Sequence, residues 1–478
     1  MSRYKFSYLI LASCISGSIY ASEVNVHSLD HSINTCYPSI LNAVLQKQIA
    51  EAKAKQNKSP FDTRVNAYAN ERQGSTYNTQ YQKLELEKRF YDSPVSVYTG
   101  FDISSGYAPQ YEGAQITSAQ GREFVGLRLN LLSGFAIDKD RLALYNSVLD
   151  TDKAKYEVEL AKLLIKTDAM KAYVSWLISG EQLDAYTKLY DIANKRQKAL
   201  EKSFKNGDVA KILLTENNSN LLKRQVRMAS AQNTFNQASQ SLSLYFRDNK
   251  CNIVVPTVAN IPGKLPKDQT IDHPNDDNEI NQAIRNRPEF KIIEVQLKQL
   301  ENQQSLAKTE LLPKLDLQVQ YNQNNSNNAT TPNFLVNQNE GLAKLQFSLP
   351  LERSLGKGLS SEASKNFAKL YNERKLLMDQ ITARLNALHY IVNNTANQID
   401  LSNSELKLSK ELLSAEKTRF DNGDSNFFML NTREENVTNS YLLLLNSLAD
   451  NYNAYIEYNF LNGRNIHLIN TYLHKETN

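Results

Sequence analysis

The sequence predicts a mainly α-helical protein with a transmembrane β-barrel element, built as a duplicated unit of long coiled-coil helices plus two strands. Three observations predict it. Ser203-Phe204-Lys205-Asn206-Gly207-Asp208 returns as Arg419-Phe420-Asp421-Asn422-Gly423-Asp424, with Asn206 and Asn422 216 residues apart. Apolar residues at coiled-coil spacing flank both copies. Four other segments alternate apolar and polar residues with period two, at the length of a strand tilted across a bilayer.

From the start of the chain, Arg3 and Lys5 precede a mostly apolar run from Phe6 to Ala12, and small residues follow to Ala21. This is the pattern of a secretory signal peptide over residues 1–21, cut after Ala21. Leu11-Ala12-Ser13-Cys14 also fits a lipoprotein cleavage box in which Cys14 carries the lipid, so two processing routes stay open. Beyond this segment no apolar stretch approaches the roughly 18 residues of a spanning helix, so a membrane role has to come from strands. Cleavage leaves Cys36 and Cys251 as the two cysteines. In an oxidising compartment they form one disulfide or stay as two thiols.

The first unit is expected over 22–249, with helices, strands near 94–103 and 124–132, and a helical hairpin over 138–246. The second is expected over 286–463, with strands near 314–322 and 342–350 and a hairpin over 354–462. A linker covers 250–285, where Pro256, Pro262 and Pro266 disfavour helix, and a tail covers 464–478. The strand segments 124–132 and 342–350 lie 218 residues apart, close to the offset of the reversals, which argues for duplication. Within the hairpins Leu214, Leu221, Met228, Phe235 and Leu242 fall seven apart, and Val437, Tyr441, Leu444, Leu448, Tyr452 and Tyr455 step by threes and fours. Gly207 and Gly423 interrupt the pattern where the chain must reverse, because glycine tolerates the left-handed conformation. Helices of about 65 residues would be roughly 100 Å long, a span suited to crossing a compartment.

In the four strand segments the apolar face holds residues such as Val97, Leu127, Leu317 and Leu345. The polar face holds Asp102, Arg128, Asn130, Asp316, Gln318, Gln320, Lys344 and Gln346, the candidate lining of a barrel lumen. Trp176 and the tyrosines are read mainly as packing residues, with a place at the membrane interface as the alternative for Tyr98 and Tyr321, near strand ends. Four strands cannot close in lipid, where open edges are forbidden and about eight strands are the minimum. Copies must therefore join, and the alternation alone does not choose among two, three or four.

Several local markers then stand in a telling order: Asn286-Arg287-Pro288-Glu289, Leu311-Leu312-Pro313-Lys314-Leu315, Phe347-Ser348-Leu349-Pro350-Leu351, and Leu430-Asn431-Thr432-Arg433-Glu434 after the second reversal. With these, the chain resembles the TolC-like outer-membrane efflux proteins over nearly all its length after the signal segment. The resemblance implies a homotrimer with a trimeric 12-stranded barrel in outer-membrane lipid and an α-helical tunnel in the periplasm. It implies a small mixed domain around 250–285 and the termini, close to Cys36 and Cys251, which favours their bridge. It makes Asn206, Gly207, Asp208, Asn422, Gly423 and Asp424 the tip that contacts a periplasmic adaptor protein, itself coupled to an inner-membrane transporter. Many relatives carry aspartates just beyond the second tip glycine. The matching positions here are Phe428 and Asn431, with Ile212 and Leu213 in the first copy, so a hydrophobic or amide-lined constriction is expected in place of an acidic ring.

Other chemistry finds little support. Lys+Arg 55 against Asp+Glu 51 gives a net charge of +4, no reason to expect nucleic acid. Gly356-Lys357-Gly358 lacks phosphate-loop spacing, and the six histidines make no metal-ligand pattern. No catalytic residue, cofactor or metal is expected. The function expected is conduction of small-molecule export substrates to the outside. The alternatives are the outer-membrane duct of a type I protein secretion system and a soluble periplasmic coiled-coil interaction protein.

Overall fold

The computed structural model describes residues 24–109, 115–262, 265, 268–271, 277–330, 336 and 339–464. The expected signal peptide with Cys14, and all of the expected tail beyond residue 464, lie outside them. The first half runs α1 (Val26–Cys36), α2 (Pro38–Asn57), β1 (Arg64–Gln73), β2 (Asn78–Arg89), β3 (Val95–Tyr107), β4 (Arg122–Asn130), α3 (Lys139–Lys205) and α4 (Lys211–Ser243). The second half runs α5 (Asp277–Asn286), α6 (Pro288–Thr309), β5 (Lys314–Asn324), β6 (Asn339–Ser348), α7 (Ser354–Asp421) and α8 (Phe427–Leu461).

Local chemistry sets the helix ends. The Asp138 carboxylate accepts from the backbone N–H groups of Asp140 and Arg141, each at 2.9 Å, and starts α3. Asn426 accepts from Met429 N–H at 3.0 Å and starts α8. Pro38 and Pro288 open α2 and α6 at a position where a missing N–H costs nothing. With 67 and 68 residues, α3 and α7 are each about 100 Å long. Helix α3 packs on α2, α4, α6 and α8, and α7 packs on α6 and α8. The main core gathers Tyr173, Trp176 and Leu177 of α3 with Leu29 and Ile33 of α1, Phe235 and Leu242 of α4, and Leu445 of α8. A second core joins Leu385, Leu388 and Val392 of α7 to Phe290 of α6 and Tyr458 of α8.

Beside the main core, Cys36 and Cys251 are joined by a disulfide, with their Cα atoms 5.2 Å apart. It ties the end of α1 to the segment after α4. There the Ser32 hydroxyl donates to Tyr245 O at 2.9 Å and accepts from Arg247 N–H at 2.8 Å.

The strands form a single antiparallel sheet in the order β1-β2-β3-β4-β5-β6. Among the described residues this corrects the expected count of four strands per chain to six, so twelve strands no longer follow from three copies. The missed hairpin did carry a period-two signal, Leu84 and Leu86 between Lys83, Glu85 and Glu87. Two strongly apolar residues were too few to separate it from a charged loop. Strands β3 and β5 also run on to Tyr107 and Asn324, into stretches read as loop.

Candidate functional site

Alternation and register divide the sheet into two faces. In successive rows, Val65 lies beside Leu86, Leu86 beside Thr99, Thr99 beside Val125 and Val125 beside Tyr321. A second row runs from Val97 through Leu127 and Val319 to Ala343, and a third from Val95 through Leu129 and Leu317 to Leu345. Val65, Leu86, Val125, Leu127, Val319 and Leu345 are all exposed. From Val95 to Ile103 this band is eight residue steps tall, roughly 27 Å along the strand and about 21 Å high at a tilt of ~40°, close to the roughly 25 Å apolar band of an outer-membrane barrel. Aromatic side chains sit at both of its ends. Phe90, Tyr91 and Phe135 are exposed on the helix side, and Tyr77 stacks on Tyr107 at the far side with centroids 5.8 Å apart.

The opposite face is a polar lattice. Arg122 donates to both oxygens of Asp102, at 3.0 and 2.6 Å, and the Tyr81 hydroxyl donates to the same carboxylate at 3.0 Å. Arg128 donates to Glu87 at 2.6 Å and lies 3.5 Å from Glu85, which Lys83 meets at 2.6 Å. The Arg128 guanidinium sits 4.0 Å from the Tyr98 ring centroid. Gln318 donates to the Tyr98 hydroxyl at 2.8 Å, which donates on to Gln320 at 2.9 Å. Gly126 is needed beside that ring, because a Cβ there would lie 2.3 Å from it. Asn130, Asp316, Lys344 and Gln346 share this face around a cleft of about 250 Å³.

The structure therefore brings all eight predicted lumen residues to one face. It also adds Tyr81, Lys83, Glu85, Glu87 and Arg122, which the alternation in β2 and the start of β4 could have revealed. Tyr321 is exposed on the apolar face beside Val125. Tyr98 is corrected: it is buried in the polar lattice, held there by the Gln318, Gln320 and Arg128 contacts.

At the far end of the sheet the two long connections interlock over the polar face. Ala119 N–H donates to Asn328 O at 2.8 Å, Thr330 N–H to Thr117 O at 3.2 Å, and Ser118 N–H to the Asn324 side chain at 3.2 Å. Ser104, on the polar face, bonds both Thr117 and Thr330.

The opposite end of the molecule carries the two helical reversals, which fold identically. Gly207 has φ +84° and Gly423 φ +82°. Asp208 N–H donates to Ser203 O and Asp424 N–H to Arg419 O, both at 2.9 Å, the closure of a glycine-capped helix. All six predicted tip residues are exposed.

Beyond the tips the predicted constriction residues separate. Ile212 and Phe428 are exposed, at 68% and 61%, and Leu213 is half-buried. Asn431 is corrected to a packing residue inside the chain. Its carbonyl oxygen accepts from Arg196 and, at 3.3 Å, from Arg224. Both arginines also reach the buried Glu434, at 2.5 and 3.1 Å. Burial draws the Arg224 guanidinium below its ordinary pKa, and the Glu434 carboxylate opposes that shift. Sequence reading missed this cluster because its members come from α3, α4 and α8.

Among the described residues, no group of three or more His, Cys, Asp or Glu side chains is placed to hold a metal ion. Among the same residues, no helix is long and apolar enough to cross a membrane.

No family model matches the chain, and no curated protein matches it in sequence. Solved structures do match in fold. The outer membrane protein VceC from the bacterial pathogen Vibrio cholerae superposes with a TM-score of 0.64 at 14% identity, covering 92% of this chain and 97% of that one. The Campylobacter jejuni CmeC outer membrane channel gives 0.63 at 14% identity, over 97% and 93%. The open state of the Neisseria gonorrhoeae MtrE outer membrane channel gives 0.60 at 12% identity, over 97% of both chains. The fold is that of the TolC-like outer-membrane efflux channels, at identities that speak to the fold alone.

Proposed function

We propose that copies of this chain assemble into an outer-membrane channel, a homotrimer by likeness to its structural neighbours, that conducts small-molecule export substrates to the outside. The observation that carries this reading is the sheet: one face apolar and exposed across all six strands, the other a continuous polar lattice, with helices about 100 Å long leaving one end of it. A water-soluble sheet would cover that apolar face with helices, and here the helices run away from it. In the membrane the face meets lipid, and the polar lattice faces a water-filled lumen.

The helices then cross the periplasm, and the exposed tips at Asn206–Asp208 and Asn422–Asp424 are the surface offered to a periplasmic adaptor. Ile212, Leu213 and Phe428 lie just inside the tips and form the apolar part of the constriction. The chain supplies a conduit, and the driving energy comes from an inner-membrane transporter behind the adaptor.

Conductance of the detergent-extracted protein in a planar lipid bilayer, with its oligomeric mass measured in parallel, tests the reading. Discrete channels from a trimer are the expected result. A water-soluble monomer without conductance would overturn it.

A further inference from the structure

The hairpin β1–β2 is an insertion into one copy of a duplicated unit. Pro38 and Pro288, which open α2 and α6, lie 250 residues apart, whereas the starts of β3 and β5 lie 219 apart and Gly207 and Gly423 216 apart. The offset falls by about 31 residues between α2 and β3, the stretch that holds the hairpin. Only five residue steps separate Thr309 at the end of α6 from Lys314 at the start of β5, so the second half has no counterpart.

The inserted strands are full members of the wall. At 10 and 12 residues they match their neighbours in length, and β2 pairs with β3 along its whole length, from Asn78–Tyr107 to Arg89–Ser96. Val65, Ala67, Leu84 and Leu86 extend the apolar face, while Tyr81, Glu85 and Glu87 are bonded into the polar lattice of β3 and β4. Strand β3 is shaped for this neighbour. A Cβ on Gly100 would lie 2.1 Å from Leu84 O and 3.0 Å from Glu85 Cα. The free edges of the sheet are thus β1 and β6.

We propose that β1 of each copy pairs with β6 of the next, so that the wall takes six strands from every chain and a trimer closes as an eighteen-stranded barrel. This rests on the channel reading above. Lipid forbids open strand edges, so the outer edges of β1 and β6 need a neighbouring strand at membrane depth. Strand β1 leaves the helical end and β6 returns to it, so their union continues the antiparallel alternation. The occupant of each edge is a second copy of this chain. Because barrel diameter grows roughly in proportion to strand number, such a wall is about one and a half times as wide as a twelve-stranded one and falls in the size range of porins with aqueous channels.

Outward-facing cysteine pairs in the full-length protein, oxidised in membranes and run on non-reducing gels, test the closure. One panel places Val65→Cys or Ala67→Cys on β1 with Ala343→Cys or Leu345→Cys on β6. The other places Val97→Cys or Thr99→Cys on β3 with the same β6 positions. Each panel samples several registers, and the native Cys36–Cys251 bridge does not link chains. Covalent dimers and trimers from the β1/β6 panel alone, collapsing on reduction, are expected. Linkage from the β3/β6 panel would overturn the inference by showing a twelve-stranded closure with the hairpin outside it. A trimer by native mass in which neither panel links would overturn it as well, while leaving the channel intact. A monomer by native mass would overturn both readings together.

Discussion

Apart from the inserted hairpin, the two halves of the molecule repeat the same order of elements with different side-chain chemistry. In the first half the junction between the short helix α1 and the end of the α3–α4 hairpin is closed by the Cys36–Cys251 bond. At the matching junction of the second half, the Tyr458 hydroxyl donates to Glu279. Asn462 reaches the same carboxylate at 3.4 Å, and Asn286 donates to Asn462 O at 3.5 Å. At the tips, by contrast, both halves keep Asn-Gly-Asp. A duplicated fold retains a residue where the backbone itself demands it, as positive φ demands glycine. Where any good contact will serve, its copies diverge.

The largest test of this contrast lies where the halves meet. The first half contributes Arg196 and Arg224, and the second contributes Glu434 and Asn431. Arg224 is 1% exposed. Glu434→Ala leaves two guanidiniums without their carboxylate and is expected to cost about 3–5 kcal/mol, read as a fall in urea midpoint. A loss below about 1 kcal/mol would show that the halves are not joined there.

Replacing Cys36 and Cys251 by serine is expected to cost about 2–4 kcal/mol, read as a lower Tm under non-reducing conditions. The wild type treated with reductant should match the double variant. Tyr458→Phe, which breaks the polar version of the junction, is expected to cost only about 1 kcal/mol. Equal losses from the two would erase the distinction between the junctions.

Gly207→Ala and Gly423→Ala should each cost about 1 kcal/mol and cost the same. A Cβ meets nothing within 4 Å at either site, so the penalty comes from φ alone. Unequal losses, read by denaturant titration of the two single variants, would mean that one tip is held by more than its turn.

The smallest expected effect is a pH dependence carried by an ion pair of the second half. Arg384 donates to both oxygens of Glu457, at 2.6 and 2.7 Å, and this holds the Glu457 carboxyl below its ordinary pKa. A depressed carboxyl contributes its stability fully above its unfolded pKa and loses it as pH falls through the folded value. Arg384→Met is therefore expected to flatten the acid limb of the stability profile. Because the pair is partly exposed, the change should stay under about 1 kcal/mol, read from Tm between pH 3 and 7.

How much of this was legible depends on the range of the interactions involved. The reversals, the long helices and strands β3 to β6 follow from local rules, period and turn chemistry, and the sequence shows them within a few residues. The polar face was legible for the same reason, since alternation alone places Asp102, Arg128 and Gln318 together. Strand β1 was not, because Val65, Ala67 and Ala69 are a faint apolar signal that matters only once Leu84 and Leu86 lie alongside. Asn431 reads locally as a polar residue facing water. Its true partners, Arg196 and Arg224, are more than 200 residues away, and no local pattern announces them.

The disulfide also bears on how the molecule is made. Cys36 and Cys251 are 215 residues apart, and both precede the entire second half. In a chain delivered amino-terminus first into an oxidising compartment, the bond can close while α5 to α8 are still being translocated. The first half can then be locked before its twin arrives, with α3 presenting a finished surface for α6 and α8 to dock on. Such an order separates two near-copies in time, and so lowers the chance that a helix of one half takes the place of its counterpart in the other.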